Sequence, residues 1–396
     1  MVSDPTNSLP QLRTFLKDHL LESIVPFWLK HAVDPAGGLN SCIRDDGEVA
    51  SRDKWLWSQW RAVWVYSSLY NLIEQRDEWL DLAKHICNFA VRFGWDEQVG
   101  GWVLCLSGDG KVIRGCDSIY VDSFAIYGLT ALARATGDDQ YTALAQKTAD
   151  HALRRLAMPH DEIPHFPYPV PKGARVHGID MMFALMFWEL GQCVDEDKYR
   201  EAAIVHCDEV FGHYYRPDRD MLLERIAADR SEFPPPLGTT INPGHVIESM
   251  WFQIHIARDR NDQKRIDKAV QLIKRHLEMA WDDEYGGMHL AVDADGGDEI
   301  GWEFADTKLW WPHTEAMYAL LLAYEHCRED WCLRWYDKVH EYAFAHYPVP
   351  GCGEWRQKLD REGNPMTDVV ALPVKDPFHL PRALIYCVDV LGRLTQ

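Results

Sequence analysis

The sequence predicts an all-α protein, an (α/α)6 barrel of six helical hairpins with short β-hairpins in the long loops. Three observations predict it. Apolar residues recur at helical spacing through twelve segments of the 396-residue chain. Long, glycine-bearing connections follow the odd-numbered segments, and short ones follow the even-numbered segments. The unusual polar residues collect on the even-numbered segments.

The periodicity predicts helices over 10–31, 54–74, 77–93, 117–136, 139–156, 176–193, 196–213, 244–259, 262–281, 307–327, 329–346 and 377–394. Gly137-Asp138-Asp139, Asp195 and Arg258-Asp259-Arg260-Asn261-Asp262 separate neighbours by connections short enough to force antiparallel packing. The longer connections open with Asp34-Pro35-Ala36-Gly37-Gly38, Asp96 to Trp102, Asp283-Glu284-Tyr285-Gly286-Gly287 and Gly351-Cys352-Gly353-Glu354-Trp355. Alternating runs such as Gly101 to Leu106 predict short hairpin strands there. This alternation is a repeat signature. Six hairpins close into a ring of six inner, even-numbered helices and six outer, odd-numbered ones. The competing arrangement, an open α-solenoid, needs polar capping repeats that the sequence lacks. The connection at 214–243, with Pro234-Pro235-Pro236, is expected to cover the barrel mouth. With no linker-like stretch, residues 1–396 read as a single domain.

Composition bounds the function. A net charge of −20 excludes the positive field that nucleic acid or an anionic membrane requires. No stretch is long and apolar enough to span a membrane, and the N-terminus lacks the pattern of a signal peptide, so a cytoplasmic protein is expected. The ten cysteines include no CxxC; Cys327 and Cys332 are the closest pair, and all read as reduced thiols. Seventeen Trp and sixteen Tyr suit a cleft that stacks on a ring-shaped ligand. Ser107-Gly108-Asp109-Gly110-Lys111 lacks phosphate-loop spacing and reads as a hairpin turn. No cofactor or metal is called for.

The even helices carry Trp57, Gln59 and Arg61; Tyr120 and Asp122; His177 and Asp180; His245 and Glu248; His313 and Glu315; and His379 and Arg382. Each has a structural alternative as a cap or core residue. Their convergence on one mouth predicts a small-molecule site. His85, His151, His206, His276 and His340, on odd helices, read as surface residues. Asn242-Pro243-Gly244 launches the helix that carries His245 in its first turn, where the helix N-terminus is expected to lower the imidazole pKa, with Glu248 on the same face. Asp376-Pro377 launches the last helix and His379 in the same way.

Several segments, in order, resemble the N-acylglucosamine 2-epimerase family. They are Lys54 to Arg61, Asn242 to Glu248, Trp310-Trp311-Pro312-His313-Thr314-Glu315, Gly353-Glu354-Trp355 and Phe378-His379-Leu380-Pro381-Arg382. His177-Gly178-Ile179-Asp180 is similar to the His-x-x-acid pattern of mannose or sulfoquinovose isomerases and cellobiose 2-epimerases. The resemblance implies an (α/α)6 barrel and a sugar 2-epimerase acting on an aldose such as N-acetylglucosamine or N-acetylmannosamine. The alternative is an aldose–ketose isomerase on the same site. It implies His245 and His379 as the acid–base pair, Arg61 as a substrate-binding arginine, and, since members are often dimers, a homodimer. Trp57, His177, Asp180, Glu248, His313, Glu315 and Arg382 are expected to line the sugar site. A glycoside hydrolase would draft two carboxylates and leave the histidines idle; a metal-dependent isomerase would use His245, His313, His379 and Glu248 as ligands; a helical scaffold would need none of these residues.

Overall fold

The computed structural model describes residues 9–367 and 373–396. Its helices fall where the periodicity places them. α1 runs Leu9–Asp18, continues through a wider turn at His19–Ile24, and ends as Val25–His31. α2 is Leu56–Ser68, extended by Leu69–Ile73. α3 is Asp77–Phe93, α4 Ile119–Thr136, α5 Asp139–Leu156 and α6 His177–Val194. α7 is Asp197–Glu209, extended by Val210–Tyr214. α8 is Pro243–Asp259, α9 Gln263–Ala280, α10 Trp310–Cys327, α11 Asp330–His346 and α12 His379–Leu394.

Burial separates the two rings. α4, α6, α8 and α10 are buried on nearly every face, whereas α3 and α9 bury one stripe. A helix apolar all round belongs in a core, and an amphipathic one belongs at its surface. Each inner helix packs against the next, α2 on α4 through to α10 on α12, and α12 returns to α2. Each outer helix covers an inner one, α1 lying on α12. The barrel is closed rather than an open solenoid.

The expected local hairpins are present, and the loops add a second kind of pairing. The local pairs are Trp95–Asp96 with Gly101–Trp102, Cys105–Leu106 with Val112–Arg114 around the predicted Ser107–Lys111 turn, and Tyr215–Arg216 with Met221–Leu222. Most strands, however, join the residues just before an inner helix to the next loop. Lys54–Trp55 pairs with Cys105–Leu106, Ser118 bridges to His165, and Ala174–Val176 pairs with Arg225–Ala227. Thr240–Ile241 pairs with Val292–Asp293, and Lys308–Leu309 with Lys358–Leu359. Lys375 N–H donates to the Ser41 carbonyl at 2.7 Å and completes the circle. An isolated two-stranded hairpin is marginal in water. Lacing loop to loop instead satisfies the backbone that enters each buried helix. It also explains why α2 and α10 begin at Leu56 and Trp310, later than predicted: the residues before them are rim strands.

The Gly-Gly turns have a common purpose. Leu39, after Gly37-Gly38, donates its N–H to Gln59 Oε1 at 2.7 Å, and Gln59 Nε2 returns a bond to the Leu39 carbonyl at 2.9 Å. Trp102, after Gly100-Gly101, donates to Asp122 Oδ1 at 2.9 Å. Met288, after Gly286-Gly287, donates to His313 Nε2 at 2.9 Å. Gly38 has φ +73°, and a Cβ there would lie 2.8 Å from Gln59 Oε1, so only glycine permits this approach. The buried pairs Lys54–Asp34, at 2.8 Å, and Lys308–Asp282, at 3.1 Å, hold the same turns in two of the repeats.

Candidate active site

The N-terminal turns of all six inner helices meet at the mouth around a cleft with two adjoining lobes. Trp57, Arg61, Tyr168, His245, Trp302, Trp311 and His379 border both. The first lobe holds about 900 Å³ of space, partly open to solvent. Its wall is largely apolar, built from Tyr120 and Phe124 on α4 and Met181 and Met182 on α6. The second reaches Asn242, Gln357, Lys358 and Asp376.

Three histidines border this space, and two of them, His245 and His379, hold Nδ1 on a buried carboxylate. His245 Nδ1 lies 3.0 Å from Glu224 Oε1, and His379 Nδ1 lies 2.8 Å from Glu315 Oε1. A carboxylate can only accept, so Nδ1 carries the proton and Nε2 is left for proton transfer. The two rings lie 5.3 Å and 5.4 Å from the Trp311 ring. Gly244 makes that approach possible, because a Cβ there would lie 2.7 Å from Trp311. The Asn242 side chain caps α8 at the His245 N–H, 3.2 Å away. Asp376 Oδ2 caps α12 at the His379 N–H, 2.8 Å away.

The electrostatics of His245 run opposite to the expectation from its helix position. Burial favours the neutral ring, but the charge and hydrogen bond of Glu224, with the charge of Glu248, outweigh it and raise the pKa above the ordinary value. Burial would likewise raise Glu224; His245, with His177 and Arg225 nearby, holds it at about 2. Glu224 is therefore a fixed negative charge.

Below His379, Arg382 Nη2 bridges Glu248 and Glu315, lying 2.7 Å from Glu315 Oε1. Glu248, Glu315 and His379 bring ligand atoms within 4.8 Å of one another, among the described residues the one cluster of metal-ligand type. The guanidinium lies among them, so the protein itself supplies the cation. Arg61 reaches the cleft from α2. Its Nη1 donates to Asp376 Oδ1 at 2.8 Å, and its guanidinium carbon lies 4.1 Å from the centre of the Phe124 ring. Arg61 Nε is buried without a protein partner.

The structure therefore brings Trp57, Arg61, His245, Glu248 and His379 to the cleft. Glu315 and Arg382 lie in a layer beneath it. Glu315 is four residues past Trp311 and Arg382 three past His379, so each keeps the same face one turn deeper. His177, Asp180 and His313 correct the expectation, for they do not border the cleft. At about 100° per residue, a step of two turns a side chain to the far face of its helix. Asp180 stands two past Gly178, and His313 two past Trp311. Asp180 accepts from Tyr214 Oη at 2.6 Å and lies 2.8 Å from His206 Nδ1. His313 clasps Met288 and donates from Nδ1 to the Leu309 carbonyl at 2.7 Å. His177 Nε2 is bonded to Ser249 Oγ at 2.9 Å inside the wall. His206 and His276, read as surface residues, are structural as well: His276 is fully buried and receives the Leu222 N–H at 3.3 Å.

Five contributors escaped the sequence reading because they come from loops. Arg225 enters on the rim strand that pairs with Ala174–Val176, and Glu224 stands immediately before it. His165 bonds Tyr120 Oη through Nε2 at 3.0 Å. Trp302 approaches Tyr168 across the mouth, their rings 5.0 Å apart. These two aromatic residues, rather than the triple proline, roof the cleft. Their spacing carries no period; the signal available was an aromatic or acidic residue inside a long loop.

Barrel, cleft and paired His–Glu dyads together suit proton transfer on a small molecule, and comparison with known proteins makes this a sugar-converting enzyme of the isomerase class. The family profile described as N-acylglucosamine 2-epimerase matches residues 37–382. The chain is 31% identical over 388 residues to N-acylglucosamine 2-epimerase of Rattus norvegicus, covering 95% of this chain and 91% of the relative. It is 30% identical to the Homo sapiens protein of that name, covering 94% and 89%. The solved cellobiose 2-epimerase of Spirochaeta thermophila superposes with a TM-score of 0.84 at 21% identity, covering 98% of this chain and 99% of that one. The chain belongs to the N-acylglucosamine 2-epimerase family. Among the described residues no helix is long and apolar enough to cross a membrane.

Proposed function

We propose that the cleft interconverts N-acylated hexosamines that differ in configuration at C2. The observation that carries the reading is the pair of histidines facing one cavity, each with Nδ1 fixed on a buried carboxylate. Such a pair is suited to removing a proton from one face of a carbon and returning one to the other. The open-chain aldose binds with C2 between the two rings. One Nε2 takes the C2 proton, and the electron pair moves onto the C1 oxygen, forming an enolate. The second imidazolium delivers a proton to the opposite face of C2, and the enolate collapses to the epimeric aldehyde. Arg61, planar and permanently charged, stabilises the developing oxyanion. Its ion pair to Asp376 holds it in place. The transfers consume no redox equivalents and run on side chains alone.

The N-acyl class is supported by the names of the 31%- and 30%-identical relatives and by the apolar lobe of Phe124, Met181 and Met182, which suits an acyl methyl. Glu224 is held ionised, which removes it as the protonated acid that a glycosidase needs. The ten free cysteines suit a reducing, cytoplasmic compartment. The test is proton NMR of the purified enzyme with N-acetylmannosamine, mannose and cellobiose in turn. Conversion of N-acetylmannosamine to its C2 epimer, well ahead of the other two, is expected. A ketose product from mannose as the faster reaction would overturn the N-acyl assignment.

A further inference from the structure

The turn between α10 and α11 brings two cysteines together at the end of the barrel opposite the cleft. Cys327 is the last residue of α10. Arg328 adopts φ 55°, which reverses the chain, and Glu329 immediately precedes α11. Cys332 falls in the first turn of α11, its N–H on the Glu329 carbonyl at 3.1 Å. The two Sγ atoms lie 3.6 Å apart, in hydrogen-bond contact. Cys332 is buried and Cys327 is half-buried, so Cys327 is the more exposed residue of the pair.

The surroundings distinguish the pair from the remaining thiols. Burial pushes Cys42 and Cys207 up to about 11, and Cys87 and Cys105 up to about 12. Cys327 moves the other way, to about 7, through its hydrogen bond with the Cys332 thiol, assisted by the Glu329 N–H. The same contact raises Cys332. An accessible thiolate beside a protonated thiol is the arrangement of an attacking and a resolving cysteine.

We propose that Cys327 and Cys332 form a redox-active dithiol, which a hydroperoxide converts to a disulfide across the α10–α11 turn. The Cys327 thiolate attacks the O–O bond, giving a sulfenic acid and hydroxide, and the hydroxide takes up the proton that Cys327 released. The Cys332 sulfur then displaces the hydroxyl of the sulfenic acid, which leaves with the Cys332 proton as water. Two thiols and one hydrogen peroxide become one disulfide and two waters. The sulfurs close from contact to bonding distance within a turn that already faces them together. Glu315 lies about 18 Å along α10 from Cys327, so the bond leaves turnover intact, protects Cys327 from over-oxidation and is reversed by thiols.

The test uses the reduced full-length protein treated with equimolar hydrogen peroxide, alkylated and digested with trypsin. Cleavage after Arg328 separates the two cysteines, so their peptides stay joined only through a disulfide. The expected result is the joined pair as the main oxidised species, released by dithiothreitol, with turnover unchanged. Cys332→Ser is expected to stop at a Cys327 sulfenic acid that dimedone traps. Separate alkylated peptides from the wild-type protein while other cysteines oxidise, or a Cys327 sulfinic acid with no joined pair, would overturn the proposal. The wild-type map does not depend on the variant folding.

Discussion

Glu224 accepts the Nδ1 proton of His245 at 3.0 Å, although it stands 21 residues earlier in the chain and just before a rim strand rather than on α8. The bond fixes the ring's tautomer, aims Nε2 at the cleft and favours the imidazolium. Each of these effects has a measurable consequence.

Glu224→Gln keeps the shape of the side chain and removes its charge. Without that charge the imidazolium of His245 loses its main support, so its pKa falls. If proton transfer needs one histidine protonated and the other neutral, the pH–rate profile is bell-shaped, and the limb belonging to His245 moves to lower pH while the other stays. kcat is expected to fall roughly 10²-fold, within the range of a positioned acid–base group. A pH series of kcat, with NMR titration of His245, checks both; an unmoved limb would remove Glu224 from the mechanism.

Arg61→Lys retains a charge but loses the planar fork that spans Asp376 and rests on Phe124. Loss of a preorganised oxyanion donor predicts a fall in kcat of about 10²–10³-fold. Steady-state kinetics beside thermal unfolding separates this from a packing defect, since kcat is expected to fall far more than stability.

His313→Ala tests the separation of cleft from scaffold. It strips the partner from the buried Met288 N–H and leaves a void beside Tyr347. Stability measured by urea unfolding is expected to fall by about 2–3 kcal/mol. The folded enzyme keeps its kcat and KM. A large kcat loss with unchanged stability would return His313 to the chemistry.

How far the sequence could be read follows from which interactions carry a period. Twelve helices and their two-ring order are written in apolar spacing and loop length, and the histidines of the cleft sit in motifs that launch helices. What the spacing could not give is the direction of each side chain within a first turn. Trp311 and His313 look equally poised in the sequence, yet a two-residue step puts one in the cleft and the other behind it. Glu224 and His165 reach the site beside loop-to-loop pairings and Trp302 from a loop turn, none of which has a local signature. The raised pKa of His245 was likewise invisible, because the carboxylate responsible comes from one of those loops.

The central claim is that His245 and His379 move the C2 proton. The most direct measurement is loss of the H2 resonance of N-acetylmannosamine in D2O, followed by NMR for the wild-type enzyme and for the His245→Ala and His379→Ala variants. The account predicts solvent deuterium at C2 of the epimer formed by the wild type. It also predicts epimerisation at least about 10²-fold slower in either variant, with the folded structure intact by circular dichroism. Epimerisation that retains the original hydrogen at C2, or that continues at the wild-type rate in both variants, would contradict it.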